Sequence, residues 1–318
     1  MLEKINGREQ IFKPIGYNRT LEVRKEKNYF NIFFGEAFIN EVKNTPNVLS
    51  IRFYDFVYLE KVDKQRPSFC AIKGGVGKTM IVYNMAKHLA YNNKKVLLFD
   101  FDHQCNLSQV FDNDEQSSTV RGIFTGEDVE IKSVSDNIDL VSGYYFLDEV
   151  EEELEAGREK YLYLYQWFGD NYSSILTNYD YIIIDTHPDF RAATRNAVVV
   201  SDIIISPDVP SANNKESLAN LTVRFKNFQE KEHLLEGKLW FVGNRIKHNT
   251  KRSRNFKSLI ESEERYITYF EEKELFIEAA EKRTSVDELM ESPVYKLNPS
   301  HKKYYENYKK TMNTIINR

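Results

Sequence analysis

From residue 67 onward, short apolar runs alternate with stretches whose apolar residues recur at helical spacing. Runs at 69–72, 96–101, 181–185, 202–205, 239–242 and 266–270 have the length and the β-branched and aromatic content of buried strands. Between them, residues 78–92 carry Ile81, Val82, Met85, Ala86 and Leu89 on one helical stripe, and 190–201 and 213–234 are also helical. Helices near 274–281, 285–291 and 299–317 follow, the second opened by a capping arrangement of Thr284 or Ser285 with Asp287 and Glu288. A mixed polar region at 112–140 leads to a short strand at 138–141. Residues 145–178 read as one helix whose aromatic cluster, Tyr161, Tyr163, Tyr165, Trp167 and Phe168, suits packing better than phosphorylation or base stacking. Alternation of this kind predicts parallel βαβ units, hence an α/β fold with a doubly wound, mostly parallel sheet.

Residues 1–66 follow a different pattern. Strand-like segments at 29–34 and 48–59, separated by polar turns at 44–47, predict a small α+β or β-rich appendage ending in a polar linker at 62–67. The chain therefore divides into an appendage, 1–66, of unassigned role and a main domain, 67–318. The appendage is mildly basic, which an ordinary solvated surface explains, and it shows no clear helix-turn-helix pattern.

Composition narrows the function classes. A net charge of −4 over 318 residues means that any nucleic-acid contact comes from a local patch. Two cysteines, Cys70 and Cys105, exclude a disulfide framework and an iron–sulfur site and fit a reducing, cytoplasmic compartment. No apolar run approaches membrane-span length, and the charged first residues lack a secretory apolar region.

The chemistry is concentrated at 73–80. A glycine-rich loop between a strand and a helix lets backbone N–H groups converge on an anion; the helix start adds its positive dipole end, and Lys78 adds a point charge. Gly74, Gly75, Val76, Gly77, Lys78, Thr79 and Met80 thus form a phosphate-binding set, and the Thr79 hydroxyl suits magnesium. Two strand-end acidic motifs supply further candidates. Asp100 and Asp102, one strand period apart, end the run at 97–102, and Asp185 ends the run at 181–185. An acid at a strand's carboxyl end lies in the crevice of an open parallel sheet, beside the phosphate loop. His103 and His187 adjoin these acids and invite a metal, but neither has a recognisable ligand spacing.

Lys73 to Thr79 match the signature K-G-G-x-G-K-[ST] and resemble the ParA/MinD family of deviant Walker P-loop ATPases, closest to the ParA/Soj partition branch. Residues 100–108 resemble the family's D-x-D-P-Q-x-N-x-[ST], with His103 in place of proline. Residues 185–188 resemble its D-T-P-P, with His187 in place of proline. Residues 196–207 and 241–245 match further segments more loosely, so the resemblance spans about 67 to the end of the chain.

The resemblance implies an ATPase using ATP and Mg2+. In it, Lys73 reaches the partner's ATP across a dimer, Lys78 holds phosphates, and Asp102 orients the attacking water. Thr79, Asp100 and Asp185 serve magnesium, Asn244 contacts the adenine base, and Arg245 lies beside the nucleotide. It also implies an ATP-dependent homodimer that binds non-specific DNA, is released when a centromere-binding, ParB-like protein stimulates hydrolysis, and is associated with the nucleoid. The segment 245–257 offers Lys247, Lys251, Arg252, Arg254 and Lys257 for DNA, with no acid between them. Two alternatives are a MinD-like membrane-positioning ATPase, which needs an amphipathic membrane helix, and a bacterial tyrosine kinase, suggested by the tyrosines alone.

Overall fold

The computed structural model describes five strands between residues 2 and 43, the backbone of 67–69, and residues 74–318 apart from 114, 156–159, 172–174 and 233–236. The strand expected at 48–59, the linker before residue 67 and residues 70–73, Lys73 among them, lie outside the described residues. By compactness the chain forms two units, one of Met1–Val62 with Gly169–Ser173 and one of Asp63–Phe168 with Ser174–Arg318. The first contains β1 (Leu2–Ile5), β2 (Glu9–Phe12), β3 (Leu21–Lys25), β4 (Tyr29–Phe34) and β5 (Ala37–Lys43), paired in sequence order as an antiparallel meander.

The second unit is built on eight strands: β6 (Pro67–Phe69), β7 (Val96–Phe101), β8 (Lys132–Ser135), β9 (Ile138–Val141), β10 (Tyr181–Thr186), β11 (Ile203–Asp208), β12 (Lys238–Ile246) and β13 (Tyr266–Glu271). Their spatial order is β13-β12-β11-β6-β10-β7-β9-β8, and every pairing is parallel except β8 with β9. The predicted doubly wound α/β fold is therefore what the chain adopts. β6 stands in the middle and β10 separates it from β7, the next strand in sequence. The chain thus winds outward both ways from β6, and a crevice opens at its carboxyl end.

The helices are α1 (Lys78–Tyr91), α2 (Asn106–Val110), α3 (Arg121–Thr125), α4 (Leu147–Leu154), α5 (Tyr163–Asn171), α6 (Ala192–Val200), α7 (Asn214–Gln229), α8 (Lys251–Ser262), α9 (Glu274–Glu281), α10 (Val286–Glu291), α11 (Pro293–Lys296) and α12 (Pro299–Ile316). Both sheet faces are covered, which is why the central strands are continuously apolar. Val96 and Leu98 of β7 join Ile183, Ile205 and Val242 under α1, α9, α10 and α12, and the expected stripe of α1 is wholly buried there. The alternate residues face the other way: the Phe99 ring lies 5.7 Å from that of Phe168 in α5 and 5.6 Å from Trp167. The capping box of α10 also forms, with Ser285 Oγ accepting from Glu288 N–H (2.8 Å) and Glu288 accepting from Ser285 N–H (2.8 Å).

Three expectations change. The single helix at 145–178 is α4, α5 and a short turn at 176–178, an acidic and an aromatic part that bury separate sets of residues. β12 continues four residues beyond its apolar run because Asn244 and Ile246 are themselves buried. Half of the basic segment 245–257 is the first turns of α8, whose Thr250 accepts from Ser253 N–H as an N-cap.

Candidate active site

Between Gly74 and Thr79 the backbone is fixed by two left-handed glycines and by the end of β12. Gly75 has φ 72° and Gly77 φ 88°. A Cβ on Gly77 would lie 2.5 Å from Asn244 Nδ2, so only glycine fits there on both counts. Asn244 Nδ2 donates to the Val76 carbonyl (2.8 Å), and Arg245 Nη1 donates to the Gly75 carbonyl (3.0 Å). With trans peptides, holding these two carbonyls toward β12 turns the N–H groups of Val76 and Gly77 the opposite way. Gly77 caps α1 with no side-chain hydrogen bond, and the first turn of α1 carries no acid. Its leading N–H groups are left for an anion, with Lys78, 6 % exposed, beside them.

The carboxyl ends of β7 and β10 bring the three acids to this loop. Asp100 and Asp185 are opposite each other in register, and both are fully buried. Asp100 is occupied: one oxygen accepts from Ser108 N–H (2.9 Å) and Ser108 O–H (2.7 Å), the other from Asp102 N–H (3.3 Å). Burial still raises its carboxyl to about 6, the Ser108 hydrogen bonds pulling the other way. Asp185 is different. Neither oxygen is within hydrogen-bonding geometry of a donor, and burial pushes its carboxyl up to about 8. The Lys78 ammonium lowers it, Asp100 raises it, and the nearby Thr79 hydroxyl lowers it further. A buried carboxylate with vacant lone pairs beside a lysine and a threonine hydroxyl has the donor set that a hard divalent cation requires, so Thr79 and Asp185 fit magnesium. Asp102, 5 % exposed, accepts from Gln104 N–H (2.9 Å) through one oxygen.

His103 and His187 meet across the same strand ends, with ring centroids 4.1 Å apart. His187 Nδ1 faces Asp189 Oδ2 at 3.1 Å, and that hydrogen bond raises its imidazole above the ordinary value. Farther along, the basic segment is partly neutralised. Lys247 pairs with Glu272 (3.1 Å), Lys257 with Glu271 (3.9 Å) and His248 with Glu271 (3.2 Å). Lys251, Arg252 and Arg254 are exposed on α8 and have no carboxylate partner among the described residues.

The AAA_31 family, an AAA domain, matches residues 67–237, more than half of the chain. The chain belongs to that family. A ParA family protein of the Chlamydia trachomatis virulence plasmid is 30% identical over 192 residues, 57% of this chain and 70% of its own length. It aligns this member with the ParA-type P-loop ATPases of the partition branch. A Borrelia burgdorferi B31 protein assigned to plasmid partition, solved with AMPPNP bound, is 26% identical, with a TM-score of 0.56 over 66% of this chain and 88% of that one. The ATP complex of a Cyanothece McdA variant shares the fold, with a TM-score of 0.67 over 80% of this chain and 97% of that one at 19% identity.

In this ParA-type ATPase the structure gathers Gly74–Thr79, Asp100, Asp102, Asp185, Asn244 and Arg245 around one crevice, and it separates Lys251, Arg252 and Arg254 onto α8. Ser108 entered the sequence reading only as the last position of the motif at 100–108, with no role, and Asp189, which holds His187, did not enter it. The motif sets this hydroxyl eight residues from its acid but does not say that the two bond. The His187 and Asp189 pair, two residues apart, was there to be seen.

Proposed function

We propose that this ParA-type ATPase hydrolyses magnesium ATP in the service of DNA partition. The unpartnered Asp185 carboxylate beside a phosphate-ready helix start carries the reading: fold stability alone gives no reason to keep such a group, and a bound cation does. Lys78 and the loop N–H groups hold the β- and γ-phosphates. Thr79 and Asp185 hold magnesium, Asp185 through water, and the ion neutralises phosphate charge. Asp100 serves that site indirectly, by fixing the loop after β7 through Ser108. Asp102 orients the attacking water, and Asn244 and Arg245 keep the loop in shape next to the nucleotide. Lys73 contacts the triphosphate of a second copy, which makes dimerisation depend on the γ-phosphate.

The ATP-bound dimer binds duplex DNA without sequence preference through Lys251, Arg252 and Arg254, flanked by Lys247 and Lys257, whose acid pairs a phosphate backbone displaces. A centromere-binding, ParB-like protein stimulates hydrolysis and release, and the protein works in the cytoplasm on the nucleoid. The membrane alternative finds less support in this chain. No helix of the described residues is long and apolar enough to span a bilayer, and α12 keeps Tyr304, Tyr308, Met312 and Ile315 in the core instead of offering an apolar face. The tyrosine-kinase alternative has only the clusters, and Tyr165 and Phe168 of these are packed inside.

The test measures mass and duplex-DNA retention with ATP, ADP and a non-hydrolysable analogue. Dimerisation and salt-sensitive DNA binding with triphosphate alone are expected. A protein that remains single and binds DNA equally in all states overturns the proposal.

A further inference from the structure

We propose that Asp102, His103 and His187 form a site for one divalent transition-metal ion of the zinc class, apart from the residues assigned to magnesium. One ligand atom of each lies within 4.8 Å of the other two. Small side-chain rotations close that triangle onto an ion with bonds of about 2.0–2.2 Å. The two backbones that carry the ligands are pinned together. Asp102 and His103 follow β7, His187 follows β10, Phe101 and Thr186 are in register, and His187 N–H reaches the Phe101 carbonyl at 3.4 Å.

The surroundings of His187 point to a ligand independently of that triangle. Its Nδ1 faces Asp189 Oδ2 at 3.1 Å, and Asp189 is itself held by Arg191 N–H (3.2 Å) and Thr194 O–H (3.3 Å). An imidazole that donates from Nδ1 to an anchored carboxylate keeps the Nε2 lone pair free and aimed, the arrangement found behind metal-bound histidines. Both histidines are half-buried, so an ion can enter from solvent, while Asp102 supplies a charge inside. Two imidazoles and one carboxylate suit zinc, cobalt or nickel and do not suit magnesium, which takes oxygen. Three protein ligands leave one position open for water or an oxyanion.

His103 and His187 each stand where the resembling motifs carry proline, just past the ends of two different strands, and the two departures meet in space. A single histidine for proline would be an ordinary surface change. Two whose ring centroids lie 4.1 Å apart, one of them backed by a carboxylate, make a binding unit. The site shares Asp102 with the nucleotide reading, which gives that residue the attacking water, but it is argued from the two histidines and is tested without nucleotide.

Chelator-stripped full-length protein is titrated with zinc by calorimetry and with cobalt by visible absorption, and its histidine rings are followed by NMR. One ion per chain, a cobalt d–d band and perturbation of two of the six histidines are expected. His103→Gln and His187→Gln should each weaken zinc binding at least about 10-fold, Asp189→Asn about 10-fold, and His248→Gln not at all. Circular dichroism checks that the variants are folded. Absence of saturable binding to the wild-type chain, or folded His103→Gln and His187→Gln variants that bind as tightly as wild type, overturns the proposal.

Discussion

Asp100 and Asp185 occupy matching positions on adjacent strands and are equally buried, yet every oxygen of the first is hydrogen-bonded and neither oxygen of the second is. A carboxylate whose lone pairs are taken by Ser108 and the following turn belongs to the framework. One whose oxygens meet no donor in a low-dielectric interior is pushed toward its protonated form, and it ionises when a cation arrives. Burial depth does not separate the two roles; hydrogen-bond satisfaction does.

The sharpest way to break this contrast is to neutralise each acid in turn. Asp185→Asn should lower ATP turnover about 100-fold or more with no loss, and some gain, of stability in the nucleotide-free protein, read by steady-state hydrolysis and urea unfolding. Asp102→Ala should cut turnover by a similar factor while an ATP analogue still binds. Next in size, Lys78→Ala should weaken analogue binding by about 100-fold, since it removes the cation that holds the phosphates, and it leaves Asp100 untouched. Asp100→Asn should then cost about 1–3 kcal/mol of stability, because an amide cannot accept from all three donors, while analogue binding persists. If Asp100→Asn loses only turnover and Asp185→Asn only stability, the assignment is reversed.

A smaller effect comes from a third buried acid. Glu151 of α4 accepts from Ala193 N–H (2.6 Å) at the start of α6, and burial pushes its carboxyl up to about 7. The folded chain therefore holds a proton there that the unfolded chain releases near the ordinary glutamate value. Stability falls as pH rises from about 4.5 to about 7 and is level above that. Glu151→Gln should remove this slope and be more stable than wild type by about 1–2 kcal/mol at pH 8, with no difference at pH 4. Parallel slopes for the two proteins would show that Glu151 ionises freely.

Much of this was legible beforehand where local chemistry repeats along the chain. The buried stripe of α1, the apolar runs of β7 and β10, the Ser285 capping box and the glycine loop each follow from spacing within a few residues. Less legible was whatever two distant segments complete together. The motif at 100–108 names Asp100 and Ser108 without showing that one satisfies the other, and nothing near His103 shows that the His187 ring lies against it. The helix expected across 145–178 is broken between Leu154 and Tyr163, yet the buried residues on either side, Leu154, Tyr165 and Phe168, keep helical spacing, so periodicity alone could not register the break. The basic run at 245–257 was visible as charge, whereas its pairing with Glu271 and Glu272 depends on how β13 lies beside β12.

One strand end carries more than its share of this arrangement. Asn244 and Arg245 grip the loop carbonyls, Arg245 bends the chain through φ 53°, and five residues later Thr250 opens α8 with its exposed cations. The two segments are thus spliced by the short turn at 247–250, which Lys247 N–H ties to Ser253 Oγ at 3.1 Å. Lengthening that span by a flexible residue would disconnect them while leaving each intact.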